Sequence, residues 1–488
     1  MSILRPIWTR PGPSLHSAFV RRGVTILLLG LLAALAATAA PASAGIPLRT
    51  GIVDPYRFSD ADPTAAFAET TATGASIVRL IITWRSVAPA TLPATWDPTD
   101  PADPNYNWAD VDRQVIGAKN AGLEPILVVQ IAPDWAEGAG TGPEGTNNVN
   151  PSDFGKFGMA VARRYSGTFS PNPGYVEPFP RVKNFQAWNE PNRDYFFRPQ
   201  YSGKTIQSAI IYRNMVNAFY ASVHSVNTSN LVIAGGLAPL GRPGKPSPMA
   251  FMKAFLAKKV SFDVWSHHPY TSGGPTHKAQ SSGDVTLGNL PAMRAYLLSM
   301  KKLGRITGHS PVQFWVTEFS WDSKPPDPDA ISSSLHARWT SEALYRMWKT
   351  GISVVTWFRI KDDPLTGPLG SPYQSGFYTA AGKKKFSYEA FRFPFVALRQ
   401  TRSILIWGRT PTSTSGKVIV QYRSGSRWRN LTSANANSYG IFSKTLRVPY
   451  KKGYLRARFA GEYSIGFSLT YVKDHWVNPF GCGGQIRC

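Results

Sequence analysis

The feature that most constrains this chain is an alternation running from residue 51 to residue 399. Short apolar runs rich in β-branched residues recur there eight times, at 51–53, 77–84, 124–131, 184–189, 231–235, 262–268, 313–319 and 353–359. Each run is short enough for a strand buried on both faces. Helix-length stretches precede most of them, as at 111–121, 206–226 and 332–350, and glycines punctuate the way into the next run: Gly74, Gly122, Gly304 and Gly351. Glycine just past the last periodic residue is the expected helix stop. Eight such units in roughly 350 residues predict a (β/α)8 TIM barrel with enlarged loops. A doubly wound open sheet is the competing arrangement, but no G-x-G-x-x-G follows the first strand.

The ends of the chain read differently. Residues 1–44 carry four arginines and no acid, then an apolar run over 24–40, then Ala42-Ser43-Ala44. That order of charge, apolar stretch and small residues predicts a cleaved secretory signal peptide and hence a secreted or cell-surface protein. An uncleaved anchor is the alternative, but 17 alanine-rich residues are short for a stable span. No later segment suits a membrane. Two cysteines in 488 residues exclude a disulfide framework and a multi-cysteine metal cluster. Cys482 and Cys488, both in the last seven residues, are expected to close a small terminal loop in an oxidising compartment.

Charge divides the chain. Of the net +25, residues 382–488 hold 19 Lys or Arg against Glu389, Glu462 and Asp474, whereas residues 45–381 hold 31 against 26 acids. The stretch 388–399 reads as a last barrel-packing helix, placing a domain boundary near Gln400. Beyond it, alternating runs such as Ile404-Leu405-Ile406-Trp407 and Val418-Ile419-Val420 are separated by Gly-, Ser- and Asn-rich turns. These predict a small all-β sandwich over 400–488, after a barrel over 45–399. Its basic face suits an anionic polysaccharide or the cell envelope; an ordinary solvated face is the other reading. No nucleic-acid-binding motif is present.

In a barrel of this kind the chemistry sits where strands end. The fourth run ends Trp188-Asn189-Glu190-Pro191-Asn192 and the seventh ends Val316-Thr317-Glu318-Phe319. Each sets a glutamate among apolar neighbours, where a carboxylate is costly unless used. A pair of carboxylates facing each other across a barrel mouth is the equipment of retaining glycoside hydrolysis.

These residues resemble clan A of the glycoside hydrolases, the 4/7 superfamily, in which acid/base and nucleophile follow strands four and seven. Within it, Trp188-Asn189-Glu190-Pro191-Asn192 is most similar to the β-xylosidase/α-iduronidase family and its relatives that cleave bacterial exopolysaccharides. The resemblance implies Glu190 as acid/base, Glu318 as nucleophile and Asn189 as a hydrogen-bond partner of the sugar 2-hydroxyl. It further implies that Arg79 keeps the nucleophile ionised, that His268-Pro269-Tyr270 brings a tyrosine to it, and that Trp357 forms a platform under the reacting sugar. Trp135, in Pro133-Asp134-Trp135, is the first of several tryptophans suited to stacking on an outer sugar, ahead of Trp84 and Trp321.

The expectation is therefore a secreted retaining glycosidase needing no metal or cofactor, since two carboxylates and water suffice. A non-catalytic carbohydrate-binding protein and a transglycosylase using the same two glutamates are the alternatives. The sugar is left open, because specificity resides in the loops 136–150, 193–203, 237–248 and 271–288.

Overall fold

The computed structural model describes residues 45–472, apart from 172, 173, 175, 176 and 365–372. The proposed leader and the Cys482/Cys488 pair lie outside the described residues. All eight expected strands form: β1 (Arg49–Val53), β2 (Ile77–Thr83), β3 (Glu124–Gln130), β4 (Asn184–Ala187), β5 (Leu231–Leu237), β6 (Val264–His267), β7 (Gln313–Val316) and β8 (Val354–Phe358). They are parallel neighbours in sequence order and close where β1 pairs with β8, Arg49 opposite Val354. Their inward side chains fill the interior: Ile77, Ile126, Val128, Ile233, Val264, Trp315 and Val354 form one buried cluster. The barrel is thus a packed core, with room for chemistry only at its rims.

Helices α1 (Thr64–Ala72), α2 (Ala109–Asn120), α3 (Pro151–Arg164), α4 (Gln207–Val226), α5 (Pro248–Phe255), α6 (Leu290–Lys302), α7 (Ser333–Lys349) and α8 (Phe386–Arg392) belong to the layer outside the strands. Local chemistry explains their bounds. The Asn150 side chain accepts from the N–H groups of Ser152 and Asp153, and Pro151 opens α3, satisfying backbone donors that would otherwise be orphaned. The α3–α4 contact is close because Gly158 has no side chain: a Cβ there would lie 2.5 Å from the Phe219 ring. Gly74, Gly122, Gly304 and Gly351 all adopt positive φ, from 68° to 91°, as helix stops do.

One expectation is corrected. The stretch 388–399 is not a single helix: α8 ends at Arg392, and Phe395–Arg399 is strand β9, antiparallel to β10 (Ile404–Arg409). Pro394 is the cause. It cannot continue a helix and pushes Phe393, at φ −122°, out of helical geometry.

The all-β region then comprises β11 (Gly416–Arg423), β12 (Trp428–Ala436), β13 (Ile441–Leu446) and β14 (Tyr454–Phe459), with two short strands beside β14. One antiparallel sheet has the order β9-β10-β13; the other runs β12-β11-β14. This region is packed on the barrel. Trp407 lies 5.5 Å from both Tyr345 and Trp348 of α7. The buried Arg409 donates to Leu48 O at 2.9 Å and Thr50 Oγ1 at 3.0 Å. Among the described residues no helix is long and apolar enough to cross a membrane.

Candidate active site

The fourth strand ends in a tight backbone reversal. Trp188 and Glu190 both adopt positive φ, 68° and 41°, a region that costs non-glycine residues roughly 1–3 kcal/mol each. Tertiary contacts hold them there. The Trp188 ring packs outward on Phe154 and Phe197, and its Nε1 donates to Phe196 O at 2.9 Å. The Glu190 N–H donates to Gly236 O at 3.0 Å. Gly236 is itself required: a Cβ there would come within 2.7 Å of Gln186 Nε2.

This reversal delivers Glu190 beside His268, just past β6. His268 Nδ1 lies 2.9 Å from Glu190 Oε1 and 3.9 Å from Glu318 Oε2, and its Nε2 is 3.1 Å from Thr317 Oγ1. Glu318, two residues past β7, receives Tyr270 Oη at 2.8 Å and Arg79 Nη1 at 3.2 Å. Arg79 projects from β2 into the barrel and is 1 % exposed. Its other nitrogens donate to Asn189 Oδ1 at 2.8 Å and Gln186 Oε1 at 3.1 Å. One guanidinium thereby ties β2, β4 and β7 together.

The two glutamates have different surroundings. Burial pushes the Glu190 carboxyl up to about 7, against the lowering pull of Arg193 and Arg79. Glu318 instead accepts hydrogen bonds from a guanidinium and a phenol, those of Arg79 and Tyr270. Burial also lowers His268 to about 3, with the Glu318 charge opposing and Arg79 reinforcing that shift, so the imidazole is neutral. A neutral imidazole has one N–H. The proton on Glu190 and the tautomer of His268 are therefore linked: protonated Glu190 donates to Nδ1, leaving Nε2–H for Thr317, whereas ionised Glu190 accepts from Nδ1–H.

Six of the eight expected site residues are thus brought together: Arg79, Asn189, Glu190, His268, Tyr270 and Glu318. Two are not. Trp357 is 1 % exposed, with Nε1 donating to Ser375 O at 2.8 Å and its ring among Phe319, Trp321, His336, Phe377 and Phe391. The platform expected of it is absent because strand side chains alternate. Val354 faces the barrel interior, so Phe358 shares its side and Trp357 points to the helices. Trp135 is half-buried in a rim group, edge-on to Trp84 and Trp96, with Nε1 donating to Pro89 O at 2.9 Å.

Three residues at the mouth escaped the sequence reading. Gln186 bridges Arg79 and Trp188 O. Phe358 meets Tyr373 edge-on at 5.0 Å, and Tyr373 is pushed up to about 12 by burial and then by the Glu318 charge. Alternation counted from Arg79 and Val354 would have found Gln186 and Phe358. Tyr373 sits on a loop and left no such signal.

No protein-family model and no curated protein matches the chain. Among solved structures it is similar to a family 39 glycoside hydrolase from the gut symbiont Bacteroides cellulosilyticus WH2, with TM-score 0.51 and 17% identity over 83% of this chain and 80% of that one. It is also similar to a glucosidase from Croceicoccus marinus, with TM-score 0.47 and 15% identity over 83% and 93% of the two chains. At 17% identity the first of these likenesses shows the fold alone, in agreement with the (β/α)8 barrel and the all-β region after it. The clan A resemblance read at Glu190 and Glu318 agrees with that fold.

Proposed function

We propose that this chain is a retaining glycoside hydrolase, exported by its 1–44 leader, with the barrel that precedes strand β9 as the catalytic part. The observation that carries this reading is the approach of both carboxylates to one imidazole nitrogen, at 2.9 and 3.9 Å. Two of their oxygens therefore lie no more than about 7 Å from each other, which is compatible with the roughly 5–5.5 Å spacing of retaining enzymes. In the first step Glu318 attacks the anomeric carbon while the protonated Glu190 gives its proton to the leaving oxygen. In the second, ionised Glu190 takes a proton from water, which displaces Glu318 from the sugar. Arg79 and Tyr270 stabilise Glu318 as a carboxylate before attack and as it departs.

The test is reducing-sugar release from a panel of plant and bacterial polysaccharides and aryl glycosides, with Glu318→Gln run beside the parent chain. Release by the parent alone supports a glycosidase; binding without release supports the non-catalytic alternative. The pH profile follows from Glu190. Its acid form works below about 7 and is lost as pH rises through that value. On a glycoside with a poor leaving group, kcat/KM is expected to fall about tenfold per pH unit on the alkaline side. A profile flat to pH 9 would remove Glu190 as the acid.

We also infer that the basic all-β region docks an anionic polysaccharide. Residues 400–472 contain 12 Lys or Arg and one acid, Glu462, and that acid is paired with Arg392. On the outer face of the β12-β11-β14 sheet, cations and rings alternate. Arg423 lies 5.0 Å from the Tyr454 ring and 4.8 Å from Trp428; Arg456 lies 4.3 Å from Trp428 and 4.1 Å from Tyr463. Rings suit pyranose faces and guanidinium groups suit carboxylate or sulfate. In a Glu318→Gln background, Arg423→Ala/Arg456→Ala is expected to weaken binding to polygalacturonate about tenfold, while the charge-matched Arg402→Ala/Arg447→Ala costs no more than about threefold. Equal losses would reduce the effect to net charge.

A further inference from the structure

At the opposite end of the barrel from Glu190 and Glu318, a second cluster has no part in the proposed chemistry. Asp263 immediately precedes β6 and is fully buried. Its Oδ2 accepts the Val232 N–H at 2.7 Å and meets His224 Nε2 at 2.9 Å; its Oδ1 accepts the His309 N–H at 2.8 Å and meets His309 Nδ1 at 2.8 Å. His224 sits near the end of α4, and His309 lies in the loop between α6 and β7. The three side chains thus come from a helix, a strand start and a loop that are remote in sequence.

We propose that His224, Asp263 and His309 form a structural site for a zinc-class divalent metal ion. The donor set is two imidazoles and a carboxylate, which suits zinc and leaves a fourth position for water. One ligand atom from each residue lies within 4.8 Å of the others. Around a tetrahedral zinc, with bonds of about 2.0–2.2 Å, ligand atoms stand roughly 3.3 Å apart, so the Asp263–histidine contacts of 2.9 and 2.8 Å would open and separations of up to 4.8 Å would close around an ion.

The surroundings match those of a ligand set. Each carboxylate oxygen is oriented by one backbone N–H, as ligating carboxylates are by their outer partners. The His224 ring is held by stacking on Tyr220 at a centroid distance of 4.0 Å. The side chains of Asp263, His224 and His309 are 0%, 12% and 48% exposed, so the cluster opens to solvent along His309. The ion pairs of Asp263 among the described residues are with these two histidines, with no lysine or arginine. Because the site joins α4, β6 and the α6–β7 loop away from the barrel mouth, its effect is on stability rather than on turnover.

The experiment is isothermal titration of the tag-free chain with zinc chloride, with thermal melting in parallel. One equivalent is expected to bind and raise the melting temperature, and the cobalt(II) form is expected to show the visible absorption of a low-coordinate site. His309→Ala, a half-exposed position whose loss leaves the fold standing, should weaken binding at least tenfold and abolish the melting shift. His224→Gln should do the same. Absence of binding overturns the proposal, and so does binding that both variants retain. Because the readouts are heat, melting and absorption, the result is independent of whether the barrel hydrolyses glycosides.

Discussion

Glu318→Gln is expected to lower turnover by ~10⁴-fold or more while leaving the chain folded. The amide has the shape of the carboxylate and keeps a carbonyl oxygen for Tyr270 Oη, which donates to it at 2.8 Å. What it loses is the nucleophile. An amide oxygen is too weak a nucleophile for the anomeric carbon and leaves no competent ester behind. Arg79 would keep Asn189 and Gln186 as acceptors, so its burial remains partly compensated. Steady-state kinetics and far-ultraviolet circular dichroism check both halves. Activity retained by the variant would move the nucleophile elsewhere, and a collapsed spectrum would make Glu318 a structural residue.

Glu190→Ala is expected to separate the two chemical steps. On natural glycosides, whose leaving groups need a proton, the loss should be ~10³-fold. On aryl glycosides with good leaving groups the first step survives, and the glycosyl-enzyme accumulates because no base activates water. Azide, a small anion needing no deprotonation, should enter the space left beside His268 and restore turnover. The product would be a glycosyl azide with the anomeric configuration of the substrate. A folded variant that azide leaves unchanged would undo the acid/base assignment. An azide product of opposite configuration would imply that azide displaces the aglycone directly, with no Glu318 ester.

The two variants test a polarity already present in the resting site. Burial raises Glu190 to about 7, whereas Glu318 faces Arg79 and Tyr270. Two identical side chains thus have different surroundings, burial beside His268 for Glu190 and two hydrogen-bond donors for Glu318. The positive φ of Trp188 and Glu190 belongs to the same economy. Backbone strain at β4 turns a bulky indole into the core and a carboxylate into the mouth.

Much of this was legible in the chain. The spacing of apolar runs and the glycine stops specified eight strands in order, and Glu190 and Glu318 stood out as carboxylates in apolar company at strand ends. Arg79, His268 and Tyr270 were legible through their resemblance to the clan A pattern. Which of two adjacent histidines faces the mouth was not legible: His267 turns away, to Val285 O at 2.7 Å. The Trp357 error has the same origin. A strand reverses its faces at every residue, so a one-position ambiguity at a strand end exchanges mouth for core.

By itself, then, the sequence determined the order and kind of the elements, because apolar periodicity and helix stops are local properties. It also determined which residue types stand at the strand ends. Only the tertiary structure decided what depends on closure of the barrel: that Arg79 spans Asn189, Gln186 and Glu318; that one imidazole serves both glutamates; and that His224, Asp263 and His309 meet. These are contacts between residues 39 to 239 positions apart. No local preference encodes them, since their geometry is set by strand register and by how the layers pack.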